Sequence, residues 1–80
     1  MIHELKTVQP YFNDVDLGIK TFEVRKNDRN FKPGDLMILK EYDLINNLYS
    51  GREIKCIITY ELNNAIYCKE GYVIIGFKKL

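Results

Sequence analysis

Lys20-Thr21-Phe22-Glu23-Val24-Arg25-Lys26 alternates in residue type and then passes into a basic loop, Asn27-Asp28-Arg29-Asn30-Phe31-Lys32. Alternation with period two marks a β-strand, whose successive side chains point to opposite faces. Thr21, Glu23 and Arg25 therefore share one face, and Phe22 and Val24 share the other. The reading sends the apolar pair into the core. It leaves a hydroxyl, a carboxylate and a guanidinium in a row on the opposite surface. Exposure of Phe22 and Val24 with Thr21 and Glu23 in the core would mean that the strand register is wrong, and the proposed site with it. The thirteen residues hold five Lys/Arg (Lys20, Arg25, Lys26, Arg29, Lys32) and two acids (Glu23, Asp28), a local charge of +3 in a chain of net charge +1. Positive charge gathered in one place makes this segment a candidate anion-binding face.

Working outward, residues 2–7 read as a short strand with His3 and Leu5 opposing Glu4 and Lys6. Pro10 suits the first turn of a helix, where its missing N–H has no partner to lose. Tyr11, Phe12 and Val15 follow at helical spacing and Gly18 supplies the stop, which predicts a helix of about two turns near residues 10–17. Downstream, Pro33-Gly34-Asp35 is a turn signal. Leu36 to Tyr42 reads as a strand whose run Leu36-Met37-Ile38-Leu39 predicts burial on both faces. Asp43 to Gly51 reads as a polar loop ending in the Ser50-Gly51 turn. Arg52 to Leu62 is the longest strand, with Ile54, Cys56, Ile58 and Tyr60 on one face. Tyr72 to Lys79 is the last, and Gly76 inside it marks a bulge or a sharp bend. The fold class is mainly β (α+β): a small pseudo-barrel of five to six mostly antiparallel strands with one short helix.

Eighty residues predict one domain, residues 1–80, with a single small core. No apolar run approaches the ~18 residues that span a membrane, and the amino terminus has no leader pattern, so a cytoplasmic protein is expected. Cys56 falls in an apolar strand pattern and reads as a small buried hydrophobe, and Cys68 lies beside a loop. In an intracellular chain a disulfide between them is disfavoured. One histidine and two scattered cysteines give no zinc spacing. There is no P-loop, dinucleotide-binding glycine pattern or nucleophile elbow. The expectation is no metal, no cofactor and a monomer.

Gly18-Ile19-Lys20-Thr21-Phe22-Glu23-Val24-Arg25 resembles the G-x-K-x-x-E-x-R signature of ASCH domains, a branch of the PUA-like barrels. The resemblance extends through His3-Glu4-Leu5-Lys6, Asn27-Asp28-Arg29, Gly34-Asp35, Glu41, Gly51-Arg52 and Gly71-Tyr72, to a small bacterial and phage family of unknown function placed within ASCH. It implies a pseudo-barrel with a cleft lined by the signature residues, and binding of RNA or a modified nucleotide. Some small ASCH proteins are amidohydrolases that deacetylate 4-acetylcytidine, with a lysine at the position of Lys20. They use a threonine where this chain has Glu23, and an acid from a later region that this chain lacks.

The resulting expectation is RNA, or a modified nucleoside or nucleotide, as partner. The ligand-binding residues are Lys20, Thr21, Glu23, Arg25, Arg29 and Lys6. Glu23 accepts from an exocyclic amine, Arg25 holds phosphate or stacks on a base, and Lys20 is a point charge suited to phosphate. If the chain is an enzyme, Lys20 and Glu23 are its catalytic residues and it is a nucleoside amidohydrolase; binding without catalysis is favoured. A protein-interaction module of phage origin is the further alternative. Phe31 reads as the core anchor of its loop, His3 as structural, and Glu41 as an acid whose partner is Arg25 or Lys6.

Overall fold

The alternating segments pair into one sheet. In a computed structural model describing residues 1–80, the elements are β1 (Ile2–Thr7), α1 (Tyr11–Asp16), β2 (Phe22–Lys26), β3 (Leu36–Asp43), β4 (Leu48–Leu62) and β5 (Tyr72–Lys79). The order across the sheet is β1-β3-β4-β5-β2. The β1–β3 pair is parallel and the other three pairs are antiparallel. The sheet curls into a half-barrel, mainly β with one short helix, as the sequence predicts. Its two edges, β1 and β2, are the first and second strands in the chain.

The concave side holds the core. β1 turns His3, Leu5 and Thr7 inward, β3 Met37 and Leu39, β4 Ile54, Cys56 and Ile58, and β5 Val73, Ile75 and Phe77. Phe12 and Val15 of α1 and Phe31 of the loop after β2 complete it, all almost fully buried. Phe31 is thus the loop's anchor. The helix starts after Pro10 and ends where Gly18 takes φ +77°, a conformation glycine adopts without a Cβ clash. Arg52 reaches Asn13 and Asp16 of the helix, and Lys79 donates to the Asp16 carbonyl at 3.0 Å and to its carboxylate at 2.9 Å. These bonds fasten α1 across the end of the sheet.

Four expectations are corrected. First, Phe22 and Val24 are 48% and 53% exposed, and Glu23 is buried at 6%. The faces of β2 are the reverse of the expected ones, so the row of Glu23 and Arg25 is not an outward surface. Second, β3 buries only one face: Met37 and Leu39 are sealed, but Leu36 is exposed because no second layer covers the convex side. Third, β4 begins at Leu48. The side chain of Asp43 accepts from the backbone N–H of Ile45 and Asn46, which closes a tight hairpin, and the Gly51 region becomes an irregularity within the strand pair. Fourth, Tyr60 is 65% exposed. The register slips between Ile58 and Tyr60, opposite Gly76, so the extra residue Thr59 inverts the alternation beyond it. Gly76 does mark a bulge, carried by the neighbouring strand.

Candidate functional site

The half-barrel has a seam where β1 and β2 face each other without backbone pairing. An unpaired strand edge carries carbonyls that need donors. Here arginines supply them. Arg25 Nη2 donates to the Lys6 carbonyl at 2.7 Å, and Arg29 Nη1 to the Glu4 carbonyl at 2.8 Å. Arg25 also reaches the buried Thr7 hydroxyl at 3.4 Å. The inverted faces of β2 follow from this. The inward positions of a seam strand meet backbone oxygen rather than hydrocarbon, so a guanidinium belongs there and Phe22 does not.

Glu23 balances the charge. Its Oε1 accepts from Lys20 Nζ at 2.8 Å, and its Oε2 lies 3.3 Å from Arg25 Nε. That second contact is an ion pair without hydrogen-bond alignment, and Arg25 Nε is a buried donor with no acceptor. Lys20 also donates to the Phe22 carbonyl and stands 5.0 Å from the Phe22 ring centroid and 5.8 Å from that of Tyr11. Below the array lies Cys56, whose thiol is pushed up to about 11 by burial and then by the negative charge of Glu23.

Three cavities open along the seam. One of about 350 Å³ is lined by Tyr11, Lys20, Phe22, Glu23 and Val24. The second, about 250 Å³, is lined by Leu5, Arg25, Lys26, Asp28, Arg29 and Phe31. The third, about 490 Å³, lies against Glu4, Lys6, Arg25, Arg29, Lys40 and Tyr49. Arg25 lines the second and third, while its ion-pair partner Glu23 lines the first. One end is therefore aromatic with a carboxylate and an ammonium. The other is strongly cationic.

Of the expected site residues, Lys20, Glu23 and Arg25 come together in one array, and Arg29 and Lys6 line its cationic end. Thr21 does not join them. It is exposed just before β2, its carbonyl accepts from Phe77 N–H, and it lines a hollow on the other side of Lys20 with Val15, Lys78 and Lys79. Glu41 pairs with neither Arg25 nor Lys6. Its carboxylate accepts from Ser50 Oγ at 2.6 Å and from Gln9 and lies 3.5 Å from Arg52 Nη1, contacts that hold it below the usual carboxylate range. His3 finds a partner that the sequence left unnamed: its Nε2 is 2.8 Å from Asp35 Oδ2, and its ring packs on Phe31. The sequence reading missed Tyr11, Lys40 and Thr7. Tyr11 shares the apolar spacing of its helix, Thr7 meets Arg25 only because β1 forms the other side of the seam, and Lys40 reaches the seam only through the parallel pairing of β1 with β3.

No three His, Cys, Asp or Glu side chains are grouped to hold a metal ion, and no helix is long and apolar enough to cross a membrane. An uncharacterised 12.9 kDa protein in the GpA 3′ region of Escherichia phage P2 is 41% identical over 58 residues, 72% of this chain and 51% of that protein. The chain thus spans about half the length of that curated relative. A family model, Domain of unknown function (DUF3850), matches residues 2–77, which take in both seam strands and every residue of the array, so the chain belongs to the DUF3850 family.

Proposed function

We propose that this chain is an ASCH-type, PUA-like domain that binds RNA or a modified nucleotide in the seam cleft. The observation that carries the reading is the array of Lys20, Glu23 and Arg25 set between an aromatic cavity and a cationic one. A cavity of about 350 Å³ lies at the small end of the range that ligand sites occupy. Tyr11 and Phe22 offer ring surface to a base, and the Glu23 carboxylate accepts from an exocyclic amine on its edge. Arg29, Lys26 and Lys6 line the way to a phosphate, and Lys40 beside them is paired with Glu4 at 2.6 Å.

The role of Arg25 changes in this reading. Its guanidinium already donates to the Lys6 carbonyl, so it shapes the cleft and shares in binding rather than serving as a free phosphate clamp. Glu23→Gln, which keeps the side chain's shape, is therefore the cleaner binding probe, and Arg29→Ala is read on folded protein because Arg29 donates to the Glu4 carbonyl. The test is a thermal-shift screen against nucleosides, nucleotides and short RNAs, since a ligand of the folded state raises its stability by mass action. Stabilisation that Glu23→Gln or Arg29→Ala removes supports the reading. No stabilisation by any of them contradicts it and favours a protein-interaction module.

Catalysis is not expected. Deacylation needs a nucleophile or activated water, a proton carrier and an oxyanion stabiliser. Lys20 and Glu23 are bonded to each other, Thr21 lies outside the cleft, and Glu41 is engaged by Gln9, Ser50 and Arg52. The Thr7 hydroxyl in the seam bonds to Arg25. Incubation with 4-acetylcytidine is expected to release no cytidine. Turnover that Lys20→Ala abolishes would instead establish an amidohydrolase.

A further inference from the structure

The inverted faces of β2 place aromatic side chains where the sequence reading expected none. Cross-strand partners point to the same side of a sheet, and Gly76 pairs with Phe22 on one side and with Tyr60 on the other. Phe22 and Tyr60 are 48% and 65% exposed. They flank a strip of β5 that carries no side chain, with their strands about 10 Å apart at ~4.8 Å per step across a sheet. A Cβ on Gly76 would stand 3.4 Å from Tyr60 Cβ, so the strip stays open because residue 76 is glycine.

Charge completes the pattern. β2 and β5 turn Lys26 and Lys78 outward on this same convex face, and both are exposed. Tyr72 lies opposite Lys26, with Lys69 Nζ 5.2 Å from its ring centroid. None of the residues that β2, β5 and the end of β4 turn outward is acidic. Exposed rings among cations, with no carboxylate turned outward between them, fit stacked bases joined by phosphates. Aromatic rings on a sheet face take bases by stacking, whatever their sequence, while cations follow the backbone. An apolar protein partner would leave these lysines to be desolvated without compensation. Phe22 also lines the seam cavity, so the face is continuous with the cleft.

We infer that the convex face of β2, β5 and the end of β4, centred on Tyr60, Gly76 and Phe22, is a stacking platform for single-stranded nucleic acid that meets the seam cleft at Phe22 and extends beyond it to Tyr60. The platform does not depend on the cleft reading, since Tyr60 lines none of the three seam cavities.

The test is fluorescence anisotropy with a labelled oligouridylate of about eight nucleotides, within the ~4–16 that single-strand binders occupy. Tyr60→Ala is expected to weaken binding about five- to 150-fold, the loss that goes with one stacked base, and Tyr60→Phe to preserve it. Tyr60 lies outside the core, so the variant folds, and its binding of a single nucleotide in the cleft is unchanged. Lys78→Ala is expected to lower the slope of log affinity against log salt by about 0.7, one phosphate's worth for a single strand. Oligouridylate binding that survives Glu23→Gln but not Tyr60→Ala supports the platform even where the cleft reading fails. Absence of oligouridylate binding by the wild type overturns the inference, as does full binding by Tyr60→Ala. Sedimentation velocity showing a dimer that Tyr60→Ala dissolves also overturns it, and assigns the face to a second copy of the chain.

Discussion

Asp35 shows how one side chain ties distant segments together. Its carboxylate lies 2.8 Å from His3 Nε2, 3.3 Å from the amino terminus, and accepts from the Lys32 N–H at 3.2 Å. The bond to His3 leads in holding Asp35 below the usual carboxylate range, followed by those to the amino terminus and Lys32. A depressed folded-state pKa contributes stability that is present above the unfolded value, about 3.9, and is lost as pH falls through the folded one. Thermal melts should therefore show a loss of stability below about pH 4, and Asp35→Asn should flatten that loss while lowering stability at neutral pH. An unchanged acid limb would deny Asp35 this role. Cys56 makes a second expectation at this scale. Buried and held as a thiol up to about pH 11, it should resist alkylation in the native protein, so that a thiol reagent labels Cys68 alone until denaturant is added. Rapid native labelling of both cysteines would contradict the packing.

At the scale of elements, β2 decides the account. Its period of two was plain in the sequence, and so were the grouping of Glu23 with Arg25 and the loop anchored by Phe31. Its facing was not, because the rule that apolar positions turn inward assumes an interior of hydrocarbon. At the seam the interior is the carbonyl edge of β1, and only the three-dimensional pairing of β1 with β3 and of β2 with β5 reveals it. The facing of Tyr60 was hidden by the same kind of cause, since a one-residue bulge leaves no mark on β4 except the glycine opposite it. The seam makes a firm prediction. Removing one partner of a buried ion pair costs about 3–5 kcal/mol. The Arg25 side chain is 24% exposed, which reduces the effect. Arg25→Ala should lower stability in urea by about 2–4 kcal/mol, against ~0.5 or less for Lys26→Ala on the open face. Equal, small losses would mean that the two strand edges hold together without the guanidinium.

At the scale of the whole molecule, the curled sheet brings its first two strands together, so the cleft is built from residues some twenty positions apart. Its net charge of +1 is too small for tight non-specific binding of long nucleic acid. Its cations are grouped instead, along the seam beside an aromatic cavity and a buried carboxylate, and on the convex face at Lys26 and Lys78. Membership of the DUF3850 family covers nearly the whole chain, so the seam array belongs to the family's domain and not to an appended segment. The proposed function is that this cleft takes a nucleotide. Its most direct test is a ¹H–¹⁵N correlation spectrum titrated with cytidine monophosphate and with a short RNA. The account predicts saturable shifts at Tyr11, Lys20 to Lys26 and Arg29, which Glu23→Gln abolishes while the rest of the spectrum stays native. A native spectrum that neither ligand moves at those residues would contradict it.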